Sequence, residues 1–145
     1  MTVIESTMVI HCQPEEAFER LTDVVHEPDW NPEATSMTPL TEGPIGLGSS
    51  FHATWRHSPG MDITVTEYDP PRRWVESVHG TIDTTISYNV HAAYDGTRLT
   101  SVLSAQPHGL QRLTTPMFLH RMRTIEQHRL AALRASLEES PDPMD

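Results

Sequence analysis

The sequence predicts an α+β fold in which a curved antiparallel sheet of about seven strands wraps around a long C-terminal helix. Three observations carry this prediction: a hairpin signal near residue 95, a proline corner at residues 70–71, and helical periodicity of apolar side chains near the end of the chain. Two short helices are predicted directly after the first strand.

The hairpin signal is the strongest of the three. From Tyr88 to Thr100, polar and apolar side chains alternate on both sides of the dipeptide Asp95-Gly96. Two alternating runs joined by Asp-Gly are typical of two antiparallel strands and a tight turn. Upstream, Pro70 and Pro71 separate two further strand segments, because proline cannot donate a hydrogen bond within a sheet and keeps the preceding residue extended.

The first strand is expected at about residues 3–11 and ends before Gln13-Pro14-Glu15-Glu16. Proline at the first helical position and carboxylates near the positive end of the helix dipole predict a helix over residues 14–22. A second short helix is predicted over residues 24–30, where Pro28 and Pro32 stop it.

Further strand signals follow at about residues 35–40, 50–57, 61–68, 74–79, 84–94 and 97–106. Short turns join these segments, and neighbours joined in this way pair antiparallel because a parallel crossover needs about a dozen residues. Residues 1–139 are therefore expected to form one domain. Residues 140–145 contain two prolines and no apolar pattern, so we expect a disordered tail.

Composition excludes several classes of function. Ten Lys and Arg against twenty Asp and Glu give a net charge of -10, which repels nucleic acid and anionic lipid surfaces. The chain has no apolar run long enough to span a membrane and no signal-peptide pattern, so a cytoplasmic location is expected. With one cysteine, Cys12, and no metal-binding or phosphate-binding motif, neither a metal nor another cofactor is expected. Monomer and homodimer both stay open.

The C-terminal helix carries one apolar stripe with a carboxylate, Glu126, in its middle. Desolvation among leucines would raise the pKa of this group unless an arginine, Arg123 or Arg129, pairs with it. The N-terminal half of the stripe is adaptable, because methionine fills irregular space. The stripe consists of Leu119, Met122, Glu126, Leu130, Leu133 and Leu137.

Strand periodicity assigns inward-facing side chains, since every second residue lies on the same face. Aromatic and methionine side chains around a few polar groups are typical of a small-molecule site, although the two tryptophans could equally fill the core. The candidate ligand contacts are Trp30, Phe51, Trp55, His57, Ile63, Val65, Tyr88, Met117, Phe118 and Met122.

The helix start at Pro14, the proline corner and the hairpin, in this order and spacing, resemble the SRPBCC superfamily of START-like or helix-grip proteins. Within it they resemble the polyketide cyclase and dehydrase-like branch. Trp30-Asn31-Pro32, the turn from Gly43 to Gly48 and the long terminal helix add to the resemblance, which covers residues 3–139. It implies an internal cavity for a small hydrophobic ligand between the sheet, the first half of the long helix and the short helices.

The resemblance also implies two functions. In a cyclase, Tyr88 with His79 or Glu126 would move protons during cyclisation and dehydration of a polyketide-like substrate. This requires Ser77 and His79 to point inward from the fifth strand, an orientation that the branch favours although Trp74, Glu76 and Val78 occupy the other face. Related cyclases often place arginines in the cavity, whereas the strand arginines here, Arg56 and Arg98, are expected to point outward.

That departure keeps a non-catalytic carrier or sensor of a lipid-like ligand as the alternative. A third possibility is an interaction module that uses its sheet or its acidic surface and has no substantial cavity. Tyr88 and the histidines also have simpler roles open to them, as core packing and as surface groups respectively.

Overall fold

The computed structural model describes residues 2–56, 58–79, 82–106, 113 and 115–138. These residues form seven strands, two α-helices and one short 3-10 helix, which confirms the predicted fold. The elements are β1 (Thr2–Ile10), α1 (Pro14–Thr22), the 3-10 helix (Val24–Asp29), β2 (Ala34–Pro39), β3 (Ser50–Trp55), β4 (Ser58–Asp69), β5 (Arg73–His79), β6 (Thr84–Ala93), β7 (Gly96–Ala105) and α2 (Thr115–Glu138).

All seven strands belong to one antiparallel sheet with the order β1-β7-β6-β5-β4-β3-β2. Strands β2 to β6 each pair with the next strand along the chain, so β2 to β7 form a simple meander. The exception is β1, which pairs with the last strand from Thr2 opposite Ala105 to Ile10 opposite Thr97. The predicted corner between β4 and β5 contains a cis peptide bond between Pro70 and Pro71.

The predicted hairpin is present, but its glycine has a different role from the one that Asp-Gly turns usually require. Ala93 pairs with Gly96, so Tyr94 and Asp95 form the loop and Gly96 is the first residue of β7. Gly96 does not adopt a positive φ. A side chain at this position would instead overlap the carbonyl group of Ile10 on β1, so the glycine permits close approach of the first and last strands.

Helix α2 packs against the concave face of the sheet and closes the core. Leu130, Leu133 and Leu137 are buried with apolar side chains from the strands. Helix α1 also contacts the last turns of α2: Arg20 donates a hydrogen bond to the carbonyl oxygen of Ser136 at 2.8 Å. Helix α2 ends at Glu138, and residues 139–145, including the predicted tail, lie outside the described residues.

Candidate functional site

An internal cavity of about 40 Å³ lies between the sheet, the 3-10 helix and the first half of α2. A space of this size accommodates a few water molecules or one small polar group. Apolar side chains form most of the wall: Val24, Met37, Trp55, Met61, Ile63, Val78, Ile86, Met122 and Ile125. The polar part of the wall is a cluster of five side chains, Glu27, Glu76, Tyr88, Glu126 and Arg129.

Arg129 of α2 and Glu27 of the 3-10 helix form a buried bidentate ion pair. Arg129 Nε and one terminal nitrogen each donate to a different oxygen of Glu27 at 3.0 Å. Asn31 Nδ2 donates to the same carboxylate at 2.9 Å, and the guanidinium lies 5.9 Å from the ring centre of Trp30. This geometry satisfies the carboxylate of Glu27 and largely neutralises the one cation of the cluster.

The hydroxyl of Tyr88 connects this ion pair to Glu126. Arg129 donates to the hydroxyl oxygen at 2.6 Å, and the hydroxyl donates to Oε2 of Glu126, also at 2.6 Å. Burial raises the pKa of Tyr88 well above its ordinary value, so the phenol stays protonated at neutral pH. Tyr88 thus holds Glu126 in a fixed orientation. The other carboxyl oxygen, Oε1, lies 3.8 Å from a terminal nitrogen of Arg129.

Glu76 of β5 is a second buried acid on the cavity wall. Its Oε1 accepts a hydrogen bond from the indole nitrogen of Trp74 at 2.9 Å. Burial raises the pKa of Glu76 to about 7, although the charge of Arg129 and the bond from Trp74 act in the opposite direction. Burial also raises the pKa of Glu126, against the opposing effects of Arg129 and Tyr88.

The negative charges of the cluster add to the effect of burial on both pKa values. Three carboxyl groups surround one guanidinium, and Glu27 already pairs with it. If Glu76 and Glu126 were both ionised, the buried cluster would carry an uncompensated negative charge, which is costly away from water. These charges favour the protonated forms of Glu76 and Glu126, and both groups face the same cavity.

Several of the predicted site residues meet at this cavity. Trp55, Ile63, Tyr88, Met122 and Glu126 lie on its wall, on three strands and α2. The sequence left open whether Glu126 is desolvated or paired with an arginine, and both conditions hold: it is buried, and Arg129 is nearby. Arg123 is exposed to solvent.

Other predicted contacts do not line the cavity. Phe51 and Val65 are buried where close packing fills the interior, and Phe118 is half-buried against the core. Trp30 is half-buried beside Arg129, while Met117 points away from the sheet and is 75% exposed. His57 lies outside the described residues.

The predicted inward orientation of Ser77 and His79 is wrong. Trp74, Glu76 and Val78 of β5 point into the interior, Ser77 is half-buried, and the side chain of His79 is 59% exposed beside Asp83. Trp74 is the largest apolar side chain of the strand, and its burial together with Val78 fixes the register, although Val75 on the other face is also buried. Glu76 lies on the same face as Trp74 and Val78, and its burial is less costly because Trp74 donates a hydrogen bond to its carboxyl group.

Sequence reasoning missed Glu27 and Glu76, and it looked for a cavity arginine on strands instead of on α2. Two signals could have found Glu76 and Arg129, whereas Glu27 has none. Trp74 and Glu76 are two apart on one strand and so lie on one face, with an indole donor beside an acceptor. Arg129 follows Glu126 by three positions on a helix, which places both on the cavity side.

One polar atom on the wall has no partner. Trp55 Nε1 is buried and forms no hydrogen bond within the part of the chain that the structure describes. Among these same residues, no three His, Cys, Asp or Glu side chains are arranged so that they could hold a metal ion. No helix in the described ranges is both long and apolar enough to cross a membrane.

A curved seven-stranded antiparallel sheet around one long C-terminal helix, with a cavity between them, defines a START-like or helix-grip protein of the SRPBCC superfamily. Over residues 1–138 the chain matches the family described as "Polyketide cyclase / dehydrase and lipid transport", and it belongs to that family. No curated protein matches the chain in sequence.

Solved structures share the fold at low sequence identity. A START superfamily protein from Mycobacterium smegmatis is 16% identical, with a TM-score of 0.78 and coverage of 96% of this chain and 99% of that one. The Aha1 dimer from Colwellia psychrerythraea is 19% identical, with a TM-score of 0.75 and coverage of 98% and 100%. The di-domain ARO/CYC StfQ from the steffimycin biosynthetic pathway is 14% identical, with a TM-score of 0.78; the match covers 94% of this chain and 50% of StfQ.

Proposed function

We propose that this protein binds a small, largely apolar carbonyl compound in the internal cavity and catalyses proton transfers in its cyclisation and dehydration, in the cytoplasm. The observation that carries the proposal is the placement of two buried acids, Glu76 and Glu126, on one cavity wall whose cation is already paired with Glu27. The family includes polyketide cyclases and dehydrases, which agrees with this chemistry.

The two acids and Tyr88 have complementary roles in the proposed reaction. An ionised carboxylate removes a proton from the carbon next to one ketone. The resulting enolate attacks a second carbonyl, and the protonated acid gives its proton to the oxygen of that carbonyl as the carbon–carbon bond forms. Dehydration then removes a second α proton and protonates the leaving hydroxyl, so that water departs and the number of protons on the two acids is conserved.

The pKa values suit these roles. A group exchanges protons most efficiently when its pKa lies near the working pH, and burial raises the pKa of Glu76 to about 7. Glu126 is oriented by the bond from Tyr88, as a positioned acid or base requires. Arg129 is buried beside both and stabilises negative charge that develops on oxygen.

The alternative is a non-catalytic carrier or sensor of a lipid-like ligand, and the composition of the wall favours it. Met37, Met61 and Met122 all line the cavity, and methionine side chains rearrange easily. A cavity of about 40 Å³ is far smaller than the several hundred Å³ that drug-sized ligands occupy, so binding of a diketone substrate and binding of a lipid-like ligand both require the wall to move.

Turnover and binding measured side by side distinguish the two functions. As a probe we choose a linear diketone whose carbonyls are separated by three methylene groups, because its aldol closure and dehydration give a six-membered enone that absorbs in the ultraviolet. Glu76→Gln and Glu126→Gln are expected to lower enone formation about 100-fold each while diketone affinity stays within a factor of two or so. Glu67→Gln, at an exposed ion pair with Arg73, is the control.

Binding without enone formation by the wild-type protein would contradict the enzyme and support the carrier. Equal turnover in wild type, Glu76→Gln and Glu126→Gln would remove these acids from the mechanism. Absence of diketone binding would contradict both functions for this class of ligand.

A further inference from the structure

A second depression lies on the outer surface beside the cavity. This groove encloses about 390 Å³ between the end of β3, the residue before β2 and the first half of α2. Trp55 and Ile125 line both the groove and the internal cavity, so these two side chains form the partition between them. The groove is thus directly next to the cavity, on the other side of a thin apolar wall.

The partition contains an unused hydrogen-bond donor. Trp55 Nε1 is buried without a partner among the described residues, although buried indole nitrogens usually find an acceptor. Trp55 and Ile125 are each half-buried, and neither belongs to the closely packed interior formed by residues such as Leu133. A ligand that crosses the partition would bring an acceptor within reach of this donor.

The groove is basic in a protein that is otherwise acidic. Arg56 and Arg121 line it and are exposed, and within the described ranges neither forms an ion pair. The acidic group on the groove, Glu33, faces the Nδ1 atom of His128 at 3.1 Å. The backbone nitrogen of Arg56 donates to the carbonyl oxygen of Glu33 at 3.0 Å. This bond fixes the backbone of Arg56 beside the groove. With a net charge of -10 for the whole chain, this local excess of cations is distinctive.

The internal cavity, unlike the basic groove, disfavours a negatively charged group. Glu76 and Glu126 both have raised pKa values in the cavity, because burial and an already paired cation disfavour further negative charge there. A charged head group is therefore unfavourable inside the cavity and favourable outside, beside the arginines. An uncharged carbonyl or hydroxyl group has the reverse preference, since the acids and Tyr88 offer it hydrogen bonds.

We infer that the groove is the entrance and head-group site of the cavity, and that the ligand is an amphipathic anion whose carboxylate binds between Arg56 and Arg121 while its apolar body passes between Trp55 and Ile125. This inference rests on the proposed function only in requiring that the cavity accept a ligand. It adds the chemical class of that ligand and its direction of entry.

The test compares two probes of equal chain length, octanoate and octanol, in titrations of wild type and of Arg56→Gln and Arg121→Gln. Wild type is expected to bind octanoate more tightly than octanol. Each arginine variant is expected to weaken octanoate binding about fivefold, the upper range for one exposed charge contact, without changing octanol binding. Arg98→Gln removes the same charge from an exposed position on β7, outside the groove, and is the matched control.

A second variant tests the partition. Trp55→Phe keeps an aromatic side chain but removes the unpartnered indole nitrogen. It is expected to weaken octanoate binding by a few fold, because the carboxylate beside the arginines is the acceptor that this nitrogen can meet. Raised salt should weaken octanoate binding and leave octanol binding unchanged, because the head group binds at the solvent-exposed side.

The outcomes separate this inference from the proposed function. If octanol and octanoate bind equally and the arginine variants change neither, the cavity binds ligands but the groove is not a head-group site. If Arg98→Gln weakens octanoate binding as much as Arg56→Gln does, the effect is general electrostatics and the inference is wrong. If neither probe binds while the diketone is still converted, the proposed catalysis stands and the amphipathic anion is excluded.

Discussion

Glu27 and Arg129 lie 102 positions apart in the sequence and form a bidentate ion pair in the protein interior. The pair joins the 3-10 helix to α2, and the negative charge of Glu27 offsets part of the effect by which Arg129 lowers the pKa values of Glu76 and Glu126. The same contact therefore ties the long helix to the 3-10 helix and favours the protonated forms of two acids in the cavity.

Removing one partner of this pair is expected to be costly. Arg129→Met leaves Glu27 buried without its cation and takes a donor from Tyr88, so the free energy of unfolding should fall by about 3–5 kcal/mol. Urea unfolding measures the change. Arg134→Met, at an exposed pair with Glu138, should change it by at most about 1 kcal/mol.

The double variant Glu27→Leu with Arg129→Met is the informative companion. Replacing both charges with apolar side chains removes the unpaired ion, so it should recover most of the stability that Arg129→Met loses. An equal loss in the single and double variants would show that the cost comes from packing of the arginine stem and not from the charge of Glu27.

The stability of the protein should fall as pH rises from 4.5 toward 7 because of Glu76. Its pKa is about 7 when folded against an ordinary value of 4.5, so above pH 4.5 the unfolded chain releases a proton that the folded protein retains. Folding then becomes less favourable with each pH unit until Glu76 ionises in the folded state. The total loss is about 3 kcal/mol.

Glu76→Gln should remove this loss, because the amide does not titrate. The difference in unfolding free energy between Glu76→Gln and wild type should therefore shift in favour of the variant by about 3 kcal/mol between pH 4.5 and pH 8. Glu67→Gln, at the protein surface, should show no such shift. Parallel curves for wild type and Glu76→Gln would mean that Glu76 ionises in the folded protein as it does in water.

Gly96 should tolerate no side chain. Gly96→Ala places a methyl group against the carbonyl of Ile10 where β7 meets β1, and separating the strands should cost about 1–3 kcal/mol in thermal or urea unfolding. Gly46→Ala is the control, since a Cβ there lies 3.6 Å from the ring of Tyr68, an ordinary contact distance. Equal stabilities of the two variants would contradict the close approach.

The two halves of α2 should respond differently to truncation. Leu133→Ala removes a fully buried side chain from close packing, and should cost about 3–5 kcal/mol. Met122→Ala enlarges a cavity that already exists, so its cost should lie near 2 kcal/mol, the low end of the range. The reverse order in urea unfolding would show that the first half of α2 is as closely packed as the second.

The fold was predictable because most strands show alternating polar and apolar side chains, and because proline and glycine mark the turns between them. Alternation placed Trp55 and Ile63 inside, and helical spacing did the same for Met122 and Glu126. It failed on β5, where each face combines polar and apolar residues. There the burial of Trp74 and Val78 decides the register, and the hydrogen bond from Trp74 lets Glu76 lie on the same inner face.

The rest of the site depends on contacts between distant segments. Glu27 lies in a short helix with no apolar stripe of its own, and nothing near it in sequence shows that its partner is Arg129. Glu27 is recognisable as a buried acid only once its cation is known. Patterns along the chain could therefore locate the cavity wall, but not the charge balance inside it.

The pairing of β1 with β7 has a consequence for how the protein folds. Strands β2 to β7 can associate one after another through short loops, whereas β1 must wait for a partner about a hundred residues away, at a large cost in loop entropy. We expect the docking of β1 to be the late, slow event. Until it occurs, the edge of β7 that later pairs with β1 is exposed. During refolding at high protein concentration, aggregation should therefore occur mainly in this interval.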